Sequence, residues 1–555
     1  MWIAGLSVVL MLVAALFRYL SGPFYWGNNS DPSYFYLYNF LYLLEGQSPQ
    51  FVDHPGTPVD LLGALVVRFF PSAPHELWLS AHAQQGETVL TLVWFLMMVL
   101  YTSTFFVLGA YVLQKSQDRI FTGLVLLSSL WLMIVPAFNT TGIMPISANV
   151  NSDTMMMTAD NGMMLTMMWF YFSANRRTLG QAVGLGLAVA FALSTKFTAL
   201  PFLAVGFCLL VTWPQRVLFV GVALSGFVLM TFPIWGSYGH MLSWVKGLIV
   251  TRGMHGSGGE GFNAAVYFKS LRWITVTYWF FVILWILGMV LSFNRRIDDR
   301  LRGILRALAI GGVVQVMIVA KQTSAQYMAP MLGISSLILA LLHRAFPQWW
   351  QRGYRFIAAG ILICSVGLMA KSAWDLQATT GKTRQILETI RREHADDYVC
   401  PFYRSSTPGF GYVFWNNVIM RDDYGDILKK HYPDLVYYDI FGHDFKDAAH
   451  QVVGFNQLKQ HKDKVLIYGS DQSPQNFEPY LTVKKVYSNG GSEALFEVQE
   501  AKSNLGMEYL QFAKVLFSQA RYEDAYKAAF MSQQLGVGED LSGLLQFLAQ
   551  KIQKP

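Results

Sequence analysis

The chain has 555 residues, of which 53% are hydrophobic and 15% aromatic but only 14% charged, and its mean hydropathy is +0.33. This composition excludes an ordinary soluble protein and implies a polytopic α-helical membrane protein. The net charge of +7 does not argue for a nucleic-acid partner, because the lysines and arginines fall in short clusters between apolar runs, where they set topology.

Apolar windows close to the roughly 20 residues that cross a bilayer lie at about 1–20, 89–113, 120–137, 153–173, 179–195, 197–213, 217–233, 273–292, 304–319, 328–342 and 356–373. They predict eleven transmembrane helices within a membrane domain over 1–373. The first window lacks a charged leader and a small-residue cleavage site, so it reads as a retained helix rather than a signal peptide. Lys115 and Arg119, Arg176 and Arg177, Arg216, the cluster from Arg295 to Arg302, and Arg344, Arg352 and Arg355 occupy alternate loops. The positive-inside rule makes those loops cytoplasmic. The external side then receives 28–87, 139–152, 238–272, 321–327 and everything after about Trp374.

Charges return from Gln377 to about Glu500, and the β-prone runs DYVCPFY, DLVYYDI, KVLIYGS and ALFEVQE alternate with helical stretches such as TRQILETIRREH. A soluble, external α/β domain over 374–500 is expected. Over 501–555 the spacing of Leu505, Gly506, Tyr509, Tyr522, Ala525 and Ala529 resembles one tetratricopeptide-like helical hairpin. A single such pair cannot build a solenoid, so packing on the α/β domain is its expected role. Cys208 and Cys364 lie in apolar segments and Cys400 in a hydrophilic one, which leaves no disulfide framework.

The chemistry-bearing residues gather on the external side. The first hydrophilic break, Asn28 to Asp60, holds Asp31, Asp53, His54 and Asp60. Asp31 at the mouth of a membrane-facing cavity can serve as a general base, or Asp31-Pro32 can simply open a helix. Asp53-His54-Pro55-Gly56-Thr57-Pro58 is stiffened by its prolines and can hold a carboxylate and an imidazole beside that cavity, whether or not it also starts a helix. Asp153 stands at the external start of a span and Asp160 two turns inside it. A carboxylate at that depth costs about 2.5–3.5 kcal/mol against lipid, so it faces the protein interior or a wet cavity. The methionines around it read as adaptable packing.

Lys196 interrupts two short apolar halves, either snorkelling from a turn or meeting a phosphate. The next external loop offers Arg252, His255, a GSGGEG run, Lys269 and Arg272, and KQTSAQY supplies Lys321, Gln326 and Tyr327 for a phosphate or sugar site. No metal-ligand cluster, GxSxG elbow, CxxC pair or Walker lysine appears.

Taken in order, Asp31 in the first external loop, His54-Pro55 opening an apolar helix, Asn151-Ser152-Asp153 starting a later span, Ser194-Thr195-Lys196-Phe197 closing a Gly-rich one and Gln326-Tyr327-Met328-Ala329-Pro330 opening a late one resemble the GT-C glycosyltransferases. The branch is that of polyprenyl-phosphate-sugar transferases related to protein O-mannosyltransferases and bacterial lipid A aminoarabinose transferases, and the resemblance covers roughly 1–373. It implies a GT-C-like membrane fold and inverting, direct displacement of a sugar from a polyprenyl phosphate to a lipid, glycan or protein acceptor. By position Asp31 matches the family's catalytic base and Asp153 its later acidic residue. Lys196 and the basic residues of the external loops would meet the donor phosphate.

Two departures matter. Pro32 follows the Asp where Glu is common, and His54-Pro55-Gly56 replaces His-Pro-Pro, which makes Asp53 the reserve base. No cofactor is implied, and a metal-free site is favoured over a divalent ion at Asp31 and Asp153. A bacterial inner membrane with a periplasmic active face is expected. Two other classes compete: a lipid-linked sugar transporter or flippase, and a non-catalytic scaffold. No internal repeat supports the first, and the second predicts tolerance of substitution at Asp31, Asp53 and Lys196.

Overall fold

Trp2–Leu20 has no acidic residue and one basic group, Arg18, in its last turn, where it complements the helix dipole; it forms the first apolar helix, α1. A computed structural model describes residues 1–26, 32–69, 83–134, 145–174, 178–250, 264–321, 325–346, 348–401, 405–419, 424–439, 444–470, 474–478, 480–490, 493–502, 510, 512–514, 516–517, 521–534 and 541–553. These fall into two units, Met1–Gly381 with Ser405–Tyr432, and Lys382–Arg404 with Pro433–Pro555.

In the first unit α2 (Ser33–Leu44) is aromatic or apolar on every side, and its residues from Ser33 to Tyr42 are all buried. A helix of that kind belongs inside a protein. Next come α3 (Thr57–Arg68), α4 (Ala83–Ser116) and α5 (Arg119–Ile134). In α6 (Ser152–Phe172) seven methionines are buried, and the Asn151 side chain caps the helix by accepting from the Thr154 amide at 3.0 Å.

Helices α7 (Leu179–Thr195) and α9 (Trp213–Met230) approach closely through glycines: a Cβ on Gly186 would lie 2.8 Å from Val222, and one on Gly226 2.8 Å from Ala190. Small residues serve this purpose where helices must pack without a hydrophobic driving force. Between them lies the nine-residue α8 (Pro201–Leu209). The unit continues through α10 (Tyr238–Val250), α11 (Ala264–Thr277), α12 (Trp279–Ser292), α13 (Asp299–Val319), α14 (Ala329–Ile334), α15 (Ser336–Ala345) and, as far as Gly381, α16 (Gln348–Glu393). Helices α17 (Pro408–Ile419) and α18 (Gly425–His431), although inserted between strands of the second unit, belong here.

This is a multi-pass membrane protein, but its spans are less regular than the hydropathy windows predict. Against the eleven expected, six helices among the described residues are long and apolar enough to cross a bilayer, seven if the bent pair α11–α12 is one span. Three of the differences have a local cause. The 197–213 window yields the 3-10 turn Phe197–Ala199 and then α8, and at about 1.5 Å per residue the apolar stretch Phe197–Leu209 falls short of a hydrocarbon core. The 273–292 window straddles a 91° bend between Thr277 and Trp279. Helix α6 carries Asp153, Asp160 and Asn161, which hydropathy penalises, yet all three are buried inside the protein.

The second unit contains a four-stranded sheet in the order β1-β5-β7-β6 and a three-stranded antiparallel sheet β2-β3-β4. The β-prone runs supply β1 (Tyr398–Pro401), β2 (Val436–Asp439), β5 (Val465–Ser470) and β7 (Glu493–Ala501). Strands β3 (Asp444–Asp447), β4 (Val452–Val453) and β6 (Leu481–Ser488) complete the sheets. Cys400, Val465, Ile467, Phe477 and Phe496 fill the core between strands and helices. Towards the C-terminus, Leu510, Leu516, Ala525, Ala529, Leu545 and Leu548 form a separate apolar cluster joining Tyr522–Gln534 and Ser542–Gln553.

Candidate active site

Two segments that carry predicted site residues are hydrogen-bonded to the buried helix α2, and a third is hydrogen-bonded to one of those two. Its Ser33 hydroxyl accepts from the Val150 amide at 3.0 Å and its Tyr36 hydroxyl from the Ser152 amide at 3.0 Å, which fixes the start of α6 and hence Asp153. One turn further, the Asn39 carboxamide accepts from the Phe51 amide at 3.1 Å and donates to the Phe51 carbonyl at 2.9 Å, two residues before Asp53. The Gly56 amide donates to the Thr195 carbonyl at 3.2 Å, so the turn reaches the end of α7 next to Lys196. Gly56 has φ +62°, and a Cβ there would lie 3.0 Å from the Tyr36 ring, two reasons for glycine at this position.

Lys196 follows α7 directly. It is fully buried, and its ammonium donates to Asp153 Oδ1 at 2.7 Å. Asp153 lies in the first turn of α6, where the helix dipole favours its charge. The Lys196 Nζ also stands 5.5 Å from the centroid of the Tyr327 ring, within cation–π range. His54 is buried and meets two aromatic rings edge-on, Trp244 of α10 at 5.3 Å and Tyr327 at 6.2 Å. Helix α10 and the 3-10 turn before it, Phe232–Ser237, are anchored to the same segment, with Met241 and Ile234 packed on Val52 and the Ser237 hydroxyl donating to the Pro49 carbonyl at 2.7 Å.

Asp53 is half-buried at this turn, Gln326 is buried beside Tyr327 in sequence, and Lys321 is half-buried. Lys269 and Arg272 are exposed on α11. Asp31, Arg252 and His255 lie outside the described residues. The chain on either side of 27–31 is nevertheless held by one carboxylate: Glu87 accepts from the amides of Phe24 and Tyr25 at 2.9 Å each and from the Tyr34 hydroxyl at 3.1 Å.

Asp60, in the first turn of α3, is fully buried and accepts from Asn39 at 3.2 Å. Burial pushes its carboxyl well above the usual range, an effect the Asn39 hydrogen bond only partly offsets. Among the described residues no three His, Cys, Asp or Glu side chains gather as ligands for a metal ion.

Sequence reasoning did not reach Tyr36, Asn39 or Trp244. Asn39 had a signal, being the single amide in the helix sequence SYFYLYNFLYLL. Trp244 had none, since one tryptophan among 16 is not distinguished by its neighbours.

No protein-family model matches the chain, and no curated protein matches it by sequence. Among solved structures it is similar to that of ArnT from Cupriavidus metallidurans bound to undecaprenyl phosphate, with a TM-score of 0.45 and 11% identity over 89% of this chain and 97% of that one.

Proposed function

We propose that the chain is a membrane glycosyltransferase that moves a sugar from a polyprenyl-phosphate donor to a lipid, glycan or protein acceptor on the external face of the membrane. The observation that supports this best is the meeting of a buried Lys196–Asp153 pair, the His54 turn and Tyr327, drawn from segments far apart in sequence. A donor whose tail lies in the bilayer must present its phosphate where a cation and polar groups face it from the protein.

In the reaction the acceptor hydroxyl oxygen attacks the anomeric carbon. The bond from that carbon to the phosphate oxygen breaks, and its electron pair leaves with the polyprenyl phosphate. The proton passes to a carboxylate base, Asp31 by the sequence resemblance with Asp53 in reserve. Lys196 acts as the fixed cation that favours the developing phosphate charge, and Asp153 holds it in place. His54 and Tyr327 line the path of the sugar, with Gln326 contributing a polar contact. Arg252, His255, Lys269, Arg272 and Lys321 are the further basic groups of the external loops. The reading is of a metal-free site in a bacterial inner membrane with its active face in the periplasm.

The test is turnover of radiolabelled polyprenyl-phosphate sugars by the purified full-length protein with candidate acceptors. Acceptor-dependent release of polyprenyl phosphate that survives a chelator and is lost in Asp31→Asn is expected. Full transfer by both Asp31→Asn and Asp53→Asn would remove the base assignment, and tight donor binding without turnover would favour a flippase.

A further inference from the structure

We propose that Asn39 is a positioning residue that sets the orientation of Asp53 and His54, an inference that rests on the transferase reading. Asn39 is fully buried in the middle of α2 and uses both ends of its carboxamide on a single residue, Phe51: the oxygen accepts from the Phe51 amide and the nitrogen donates to the Phe51 carbonyl. That pair of bonds resembles one rung of a β-ladder made by a side chain. It fixes the plane of the backbone two residues before Asp53, while the Gly56–Thr195 bond fixes the far end of the same turn.

The remaining Asn39 N–H donates to Asp60, the carboxyl of the helix that the turn opens. One amide thus joins α2, the approach to the turn and α3. The ring of His54 meets both Trp244 and Tyr327 edge-on, so a small rotation of the turn would alter both contacts. A displacement of about 1 Å at a reacting group can cost about 100-fold in rate.

The experiment uses the full-length protein in nanodiscs, with Asn39→Leu, Asn39→Asp, His54→Gln and the Asn39→Leu/His54→Gln double variant. Hydrogen–deuterium exchange over 51–56 is read with kinetics normalised to the bound stoichiometry of polyprenyl phosphate. Asn39→Leu is expected to raise exchange over 51–56, with helices α7 and α9 unchanged, and to lower kcat by about 100-fold per lipid-binding molecule. In the His54→Gln background it is expected to lower kcat by clearly less than in the wild type, because the part of its effect that runs through His54 can be lost only once. A purely structural loss would multiply in both backgrounds and would overturn the inference.

Asn39→Asp keeps an acceptor for the Phe51 amide but no donor for its carbonyl, so it is expected to fall between wild type and Asn39→Leu in both readouts. It serves if the leucine variant does not bind lipid. Unchanged exchange over 51–56 in Asn39→Asp also overturns the inference. A wild type that turns over no donor refutes the transferase reading instead, and the exchange data still decide whether the clamp exists.

Discussion

Lys196 and Asp153 form an ion pair from which both side chains exclude solvent. Such a pair is weak evidence for stability but costly to break, since removing one partner strands a buried charge at a cost of about 3–5 kcal/mol. Lys196→Met and Asp153→Leu are each expected to lower the thermal midpoint sharply, and the double variant to recover much of the loss while remaining inactive. Equal midpoints for the single and double variants would contradict a coupled pair. Asp60 gives a pH signature. Its folded pKa is raised by burial, whereas an unfolded Asp titrates near about 3.9. The folded state therefore binds the extra proton, and stability falls as pH rises from the unfolded value towards the folded one. Asp60→Asn, neutral at every pH, should raise the thermal midpoint more at pH 8 than at pH 5; the same gain at both would show that Asp60 ionises freely in the fold.

At the scale of elements, α2 is the part on which the site depends and the part least visible beforehand. Hydropathy windows search for spans of about 20 residues, and a 12-residue helix escapes them. Its Tyr36, Asn39 and Ser33 contacts are made to loops whose proximity follows only from the tertiary fold. What was legible is the identity of the charged groups: an Asp at the start of one apolar helix and a Lys at the end of another stand out from apolar surroundings. Their pairing was not, because it follows from how α6 meets α7. The bend at Gly56 was legible from Pro55-Gly56-Thr57-Pro58, although its need for positive φ was not. Gly56→Ala is expected to cost about 1–2 kcal/mol of backbone strain, with a further penalty from the Tyr36 ring. A thermal midpoint and transfer rate equal to those of the wild type would show that the turn tolerates a side chain.

Across the whole molecule the composition announced a membrane protein and a C-terminal region of different character, and both are present. The course of Ser405–Tyr432 was hidden. These residues interrupt the strands of the second unit and fold with the first, where the Tyr412 carbonyl accepts from Tyr38 at 2.8 Å, Tyr424 stacks on Tyr38 and Trp415 meets Phe35. The uncharged sequence PGFGYVFWNNVI was the hint. Asp160 was placed inside a span by sequence alone. It is fully buried against Gly333 and has no hydrogen-bond partner among the described residues, so Asp160→Asn is expected to fold at least as stably as the wild type in a thermal unfolding assay; a clear loss would reveal a partner.

The most direct measurement of the central claim is the acceptor-dependent release of polyprenyl phosphate from a polyprenyl-phosphate sugar, in the wild type beside the Lys196→Arg variant. Arg keeps the charge but not the compact geometry of the ammonium. Turnover by the wild type and a large loss in Lys196→Arg with the protein still folded are expected. Turnover undiminished in that variant, or absent from the wild type with every donor and acceptor, would contradict that claim.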